Sequence, residues 1–247
     1  MTSGTVQTVD TAAATPVSAS LTAGETWEFA AALMQQAPRD LDPEKVRYYL
    51  ANKKELGADL RSVLGQPLPE FNLTEWQVFY EKRFSHTVRL SNLNVPPKPG
   101  YPCGGIVVIP GLTHSIVFDA CTRAFKTWRY ESDLNAITDI AVRPQGSHVV
   151  WVRDTVEADP EMANKSASDI AEAGINTITL KERMILELKY FDETGKHLDI
   201  ENWTLCAGSR YSDGNVPSCR WSGGRFGVYW AGVGGRYSYL RARVAVS

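Results

Sequence analysis

The stretch Leu180 to Thr194 constrains the fold most, because its start, its buried face and its stop are all written in the residues. Thr179-Leu180-Lys181-Glu182 fits the capping box, and Gly195 supplies a left-handed stop. Leu180, Met184, Leu188 and Phe191 recur every three or four residues, so one face of this helix must be buried. Strands are available around it. Gly105 to Ile109, ended by Pro110, reads as a short buried strand, as do His148 to Arg153 (HVVWVR) and Asn202 to Ala207 (NWTLCA). Thr113 can cap a helix from His114 to about Trp128, with Ile116, Ala120 and Phe125 as core positions, and Asp159 to Glu172 reads as a short polar helix. The last run, Leu240 to Val246, reads as a closing strand with Leu240, Ala242, Val244 and Val246 on one face and Arg241, Arg243 and Ala245 on the other. Strand, helix, strand, helix, strand and a strand-bearing tail predict an α+β domain over residues 103–247.

Before that domain the signals are helical. Residues 1–24, rich in Thr, Ala, Ser and Val, read as a flexible tail with neither a basic start nor a secretory apolar core. Glu25 to Gln36 reads as a helix; Asp42-Pro43 opens a second one through Val46, Tyr49 and Leu50, which Gly57 interrupts before Ala58 to Leu64. Residues 25–68 thus form a helical N-terminal region, and Gly65 to Phe71, carrying Pro67 and Pro69, reads as a linker. Thr74-Glu75 starts a helix with Trp76, Phe79 and Tyr80 on one face, and the Pro-rich stretch Asn92 to Pro102 completes a connecting segment over 69–102. No stretch approaches the roughly 18 to 20 apolar residues that cross a bilayer, so a soluble protein without membrane insertion is expected.

Catalytic and metal-binding patterns are sparse. His86, His114, His148 and His197 fall in different elements without metal-ligand spacing, so neither a metal nor a cofactor is expected. Cys103, Cys121, Cys206 and Cys219 are widely spaced and read as buried reduced thiols. Gly223-Gly224-Arg225-Phe226-Gly227 lacks the following helix that would make it a phosphate loop, and Asp213-Gly214-Asn215 reads as a turn, not a calcium loop.

The chain's net charge of -2 hides two regimes. Residues 206–247 hold six Arg and one Asp, while the preceding 205 residues are net acidic. The same 42 residues contain no Lys, Glu, Gln or Met, where the density of these types upstream would give about seven. What they contain instead is chiefly Gly, Ser, Arg, Val, Tyr and Ala. That is the vocabulary of antibody binding loops, in which Tyr and Trp give contact area with few rotors, Ser and Gly adapt, and Arg supplies forked donors. Arg interleaved with aromatic rings also suits nucleic acid, but the missing Lys and the acidic remainder argue against such a partner. The genetic code offers a mechanism for the absence. Asparagine codons of the form A-A-pyrimidine, randomised at their adenines, encode Tyr, Ser, Gly, Arg, Asp, Asn, Phe, Cys and Val but never Lys, Glu, Gln, Met or Trp. On this account Arg220 and Arg225 are particular draws from a repertoire, and the tail's net charge by itself is not evidence for an acidic partner.

Cys206-Ala207-Gly208-Ser209-Arg210-Tyr211-Ser212-Asp213-Gly214, Val216-Pro217, Trp221 and the ending Leu240 to Ser247 resemble the C-terminal variable region of diversity-generating retroelement variable proteins. Trp151 to Asp159 and Glu187 to His197 carry the resemblance upstream, over about Phe71 to Ser247. It implies a C-type-lectin fold whose ligand surface is rewritten by adenine-directed mutagenic reverse transcription, a protein or cell-surface ligand, and no catalysis. Within Arg225 to Ala231, strand alternation sets Phe226, Val228 and Trp230 toward the core and Arg225, Gly227, Tyr229 and Ala231 outward. The expected ligand-facing set is therefore Cys219, Arg220, Ser222, Gly223, Gly224, Arg225, Gly227, Tyr229, Ala231, Gly232, Gly234, Tyr237, Ser238 and Tyr239. The expected scaffold is Val216, Pro217, Trp221, Val228, Trp230 and Leu240, with Val244 and Val246 behind them. Two other functions fit such a scaffold: a formylglycine-generating type of enzyme, which would employ Cys206 and Cys219 as a pair, and a phage receptor-binding protein.

Overall fold

The structure is a computed structural model that describes residues 23–36, 41–64 and 71–247. The chain divides into two units, 1–68 and 69–247. In the first, α1 (Ala23–Gln36), α2 (Pro43–Ala51) and α3 (Lys53–Leu64) follow one another. The Asp42 side chain accepts from the Glu44 N–H at 2.9 Å, and Pro43 sits in the first turn, where its missing N–H costs nothing. The break between α2 and α3 falls at Asn52, not at Gly57: Asn52 donates its backbone N–H and its Nδ2 to the Tyr48 carbonyl and so ends α2, while Gly57 lies within α3. The expected flexible tail and the linker Gly65 to Phe71 lie outside the described residues, apart from Ala23 and Gly24, which belong to α1, and Phe71.

The second unit holds α4 (Leu73–Phe84), β1 (Cys103–Val108), α5 (His114–Ala124), β2 (Thr127–Arg129), β3 (Thr138–Asp139), β4 (His148–Arg153), α6 (Ala167–Glu172), α7 (Leu180–Thr194), β5 (Trp203–Leu205), β6 (Ser209–Arg210), β7 (Val216–Ser222), β8 (Arg225–Ala231) and β9 (Leu240–Arg241). It is an α+β fold. β1 and β4 pair antiparallel, β3 and β6 make a second short ribbon, and a five-stranded mixed sheet runs in the order β2-β8-β7-β5-β9. Its outer pairs, β2 with β8 and β5 with β9, are parallel, and its central pairs are antiparallel. No helix among the described residues is long and apolar enough to cross a membrane.

The capping box of α7 forms as expected, with the Thr179 N–H on the Glu182 carboxylate at 2.8 Å and Gly195 at φ +67°. Leu180, Met184, Ile185 and Leu188 enter one core with Val117 and Phe118 of α5, Ile106 and Val150 of the β1–β4 ribbon, and Phe226 and Val228 of β8. Residues 71–102, expected as a connection, belong to that core. Trp76, Phe79, Tyr80 and Leu90 are buried in it, the Tyr80 hydroxyl donates to the Val107 carbonyl, and Trp151 Nε1 donates to the Pro96 carbonyl at 3.0 Å. Three other expectations shift. α5 ends at Ala124, four residues early, because Phe125 turns extended and the chain pairs as β2; Ile116 faces solvent while Val117 and Cys121 are buried. The polar stretch from Asp159 makes a 3-10 turn at Pro160–Met162 before α6. The closing run is extended but pairs in pieces, with β5, with Thr177 and with Trp151.

Arg243 in that run is fully buried and clamps the C-terminal segment. Its guanidinium reaches Asp199 at 2.7 Å and the carbonyls of Thr155 and Val156 at 2.9 and 2.8 Å. Arg183 of α7 holds the other Asp199 oxygen at 2.8 Å and Glu187 at 2.8 Å, and His197 Nδ1 meets Glu187 at 2.8 Å. Burial pushes the Asp199 carboxyl up, but the Arg243 and Arg183 charges outweigh it and leave it below the usual carboxylate range.

Candidate functional site

The site is built on the β7–β8 hairpin. Gly223 and Gly224 form its two-residue turn with φ of +58° and +72°, the positive pair that matches strand twist. Register then assigns the faces. Ser218 lies opposite Tyr229, Arg220 opposite Gly227, and Ser222 opposite Arg225; Trp128 of β2 is also level with Gly227, and Leu205 of β5 with Ser218. Paired residues share a face, so Trp128 and Trp203 stand beside Tyr229. Cys219, Trp221, Phe226 and Val228 point the other way.

Each face is covered along only part of its length. On the Tyr229 side a second, smaller core of Met162, Ala167 and Ile170 covers Leu205, Val216, Ala231 and Leu240. Ala231 therefore shares the outward face and is nonetheless buried, against expectation. On the opposite side Phe226 and Val228 lie in the main core, but Trp230 is beyond its edge, 46% exposed and 5.9 Å from the ring of Tyr130, so it is not scaffold. Cys219 is fully buried on the core face and cannot meet a ligand. Val246 is exposed instead of buried. Gly227 is covered too: a Cβ there would lie 2.2 Å from the Tyr229 ring, so glycine lets the ring lie flat across its own strand. Val216, Pro217, Val228 and Leu240 are buried as expected of scaffold, and Trp221 is half-buried, stacked on His197 at 3.3 Å.

What remains open is a run of rings with two cations on it. Tyr229 sits between Trp128 and Trp203, 4.6 Å from each; Trp203 meets Tyr239 at 5.7 Å, and Tyr239 meets Tyr237 at 5.5 Å. The Arg225 guanidinium lies 5.5 Å over Trp128 and that of Arg220 5.1 Å over Trp203. Between Trp203, Tyr229, Trp230 and the two tyrosines is a cleft of about 230 Å³, floored by Ser218 and edged by Gly232. Ser222 is half-buried beside Arg225; Gly234 and Ser238 are exposed in the loop before β9. That loop is pinned. The Ser168 N–H donates to the Val233 carbonyl at 3.0 Å, and Arg236 makes a two-pronged pair with Asp169 at 2.8 and 2.5 Å. The Arg236 bonds and those from Ser166 hold the Asp169 carboxyl far below the usual range.

Trp128 and Trp203 are the residues that sequence reasoning missed. Both lie upstream of residue 206. Trp128 was absorbed into the tail of an overlong helix, whereas Trp203 sits in an expected strand whose two-residue period already aligned it with Leu205. The Gly223-Gly224 pair between two seven-residue runs was the available signal for the hairpin.

Elsewhere, reactive residue types are tied into structure. Ser209 Oγ donates to Asp139 at 2.6 Å and accepts from the Leu180 N–H at 2.9 Å, and His114 Nε2 meets the same Asp139 oxygen at 3.0 Å. The serine proton thus goes to the carboxylate and not to the imidazole, and the trio ties β3, β6 and α5 together. The four cysteines are buried and unpaired, and burial pushes the Cys206 thiol well up, which keeps it neutral. Asp213 makes a turn by accepting from the Asn215 N–H at 2.9 Å, with Gly214 at φ +88°. Among the described residues no group of three or more His, Cys, Asp or Glu could hold a metal ion. Geometry thus defines an α+β protein with an aromatic, cationic face on a rigid sheet. Family models, curated proteins and solved structures were compared with the chain, and none matches.

Proposed function

We propose that this chain is a non-catalytic ligand-display protein, a diversity-generating retroelement variable protein with a C-type-lectin fold and a C-terminal surface varied by adenine-directed mutagenesis. One observation carries the reading: the segment that lacks Lys, Glu, Gln and Met is the segment that builds the open sheet face. Arg220, Ser222, Arg225, Tyr229, Tyr237, Ser238 and Tyr239 are its displayed positions, and all belong to the set that A-A-pyrimidine codons reach. Gly223 and Gly224 agree with it as well, since Gly, Asn and Asp, the residues that tolerate their positive φ, fall within that set. Trp128 and Trp203 form a constant floor under the changing residues. Strands and the pinned loop keep the surface ordered before binding, so little conformational entropy is lost on contact.

The nucleotide sequence of the locus tests this. A near-identical template repeat differing at adenines, beside a reverse-transcriptase gene, is expected. Lys and Glu codons at the displayed positions in sibling copies, with no such repeat, would overturn it.

A further inference from the structure

We propose that this face takes an acidic polypeptide segment, with one flat side chain in the Trp203–Tyr229–Tyr239 cleft and carboxylates on Arg220 and Arg225. The inference rests on the reading of the face as a ligand surface and adds the chemistry of what it holds. Four observations carry it.

The first is where the tail's charge goes. Arg243 is neutralised inside the protein by Asp199 and Arg236 by Asp169, while Arg210 Nη1 is used by the carbonyls of Ala207 and Ser209, both at 2.8 Å. Arg220, Arg225 and the half-buried Arg241 of β9 form no ion pair among the described residues, and of these three Arg220 and Arg225 lie over the tryptophans of the ring-bearing face. Secondly, Arg220 is incompletely satisfied. Its Nε is buried without a hydrogen-bond partner, and its Nη2 makes only a long 3.4 Å contact with the Ile200 carbonyl. A guanidinium stacked on a ring keeps its outer in-plane N–H groups for a carboxylate, and in Arg220 these are the Nη groups, since Nε is enclosed. Thirdly, acids are missing from the cleft and from the groove beside Arg225. The cleft carries no Asp or Glu, and the wide groove on the far side of Arg225 is lined by Arg123 and Lys126 without a carboxylate. In the Ile200–Asn202 segment that Arg220 contacts, the Glu157 carboxylate is taken up by the N–H groups of Ile200, Glu201 and Asn202, so an anion entering by the cleft or the groove meets no carboxylate lining either.

The fourth observation is shape, which selects a polypeptide over a nucleic acid. From Trp128 to Tyr239 the rings meet at 34°, 57° and 50°, and only the last pair, Tyr237 and Tyr239, is near-parallel at 23°, so the run as a whole does not offer a row of parallel faces on which successive bases could stack. At about 230 Å³ the cleft is smaller than the roughly 300–1,000 Å³ of small-molecule pockets and suits a single side chain.

The test pans a random twelve-residue peptide display library against the full chain and, in parallel, against an Arg220→Glu, Arg225→Glu double variant whose fold is checked by circular dichroism. A random single-stranded DNA pool is panned alongside. The wild type is expected to enrich peptides with Asp or Glu next to an aromatic residue or proline. Those peptides should bind the double variant at least roughly tenfold more weakly, and the variant should select Lys and Arg in their place. Peptides enriched without acidic residues, or with the same preference on both proteins, would overturn the acidic assignment and leave the ligand surface standing. Enrichment from the DNA pool alone would replace the polypeptide with a nucleic acid. No enrichment from either pool would remove the ligand surface itself.

Discussion

The two faces of the β7–β8 hairpin are made by the same fourteen residues and do opposite work. On one, Cys219, Phe226 and Val228 are fully buried against α5 and α7. On the other, Arg220, Arg225 and Tyr229 touch mainly each other's neighbours, two tryptophans from outside the tail, and solvent. The contrast recurs among the arginines, since Arg243 is buried in an ion-pair cluster and Arg225 lies on an open indole. The strand period of two therefore separates cohesion from display over the middle and tip of the hairpin, and a chain so built can change Arg220, Ser222, Arg225 and Tyr229 without touching the main core.

The largest expected effect probes the buried side of this contrast. Arg243→Ser or Asp199→Asn leaves an uncompensated charge inside the protein and should cost about 3–5 kcal/mol in urea denaturation. Arg225→Ser, an arginine change in the same tail, should stay within about 0.5 kcal/mol. Similar losses for Arg243→Ser and Arg225→Ser would mean that the open face also carries the fold.

The Asp139 anchor comes next. Burial raises its carboxyl, but the hydrogen bond and charge of His114, the Ser209 hydroxyl and Lys181 outweigh this and bring it down to about 2 from an ordinary 3.8. A depressed carboxylate contributes stability above its unfolded pKa and loses it as pH falls toward the folded one. The wild type should therefore exceed Asp139→Asn by about 2 kcal/mol at pH 6, and the gap should shrink between pH 4 and 2. A gap that stays constant with pH would show that this trio is not held by charge.

Much of the constant side was legible because local rules and tertiary packing agree there. Thr179, Glu182 and Gly195 bound α7, and HVVWVR needed only its composition to read as a strand. The display side was half legible. Alternation along Arg225 to Ala231 set the right residues together, but period says nothing about how far a covering layer extends. Ala231 is therefore buried and Trp230 exposed, and Trp128 reaches the site through a parallel pairing from a hundred residues away. Cys219 was misplaced for want of the hairpin register, which follows once Gly223-Gly224 is taken as its turn. Arg243 had the chemistry of a surface residue, and only the convergence of Asp199 with two carbonyls makes its burial tolerable.

The smallest effect tests whether exposure means freedom. Gly223 and Gly224 are open, with nothing within 4 Å of a Cβ built on either, so a purely spatial argument would let any side chain stand there. Their positive φ argues otherwise, because a Cβ in the left-handed region crowds its own backbone wherever it sits. Gly224→Asn should cost only a few tenths of a kcal/mol, Gly224→Ala about 1 kcal/mol, and Gly224→Val somewhat more, read from urea midpoints. The same ranking should appear in sibling copies as Gly, Asn and Asp at both positions, while Tyr237 and Arg225 range widely. If Val at 224 proved as stable as Asn, the turn would not be what holds the two strands in register. The separation of faces would then depend on the buried strand residues alone.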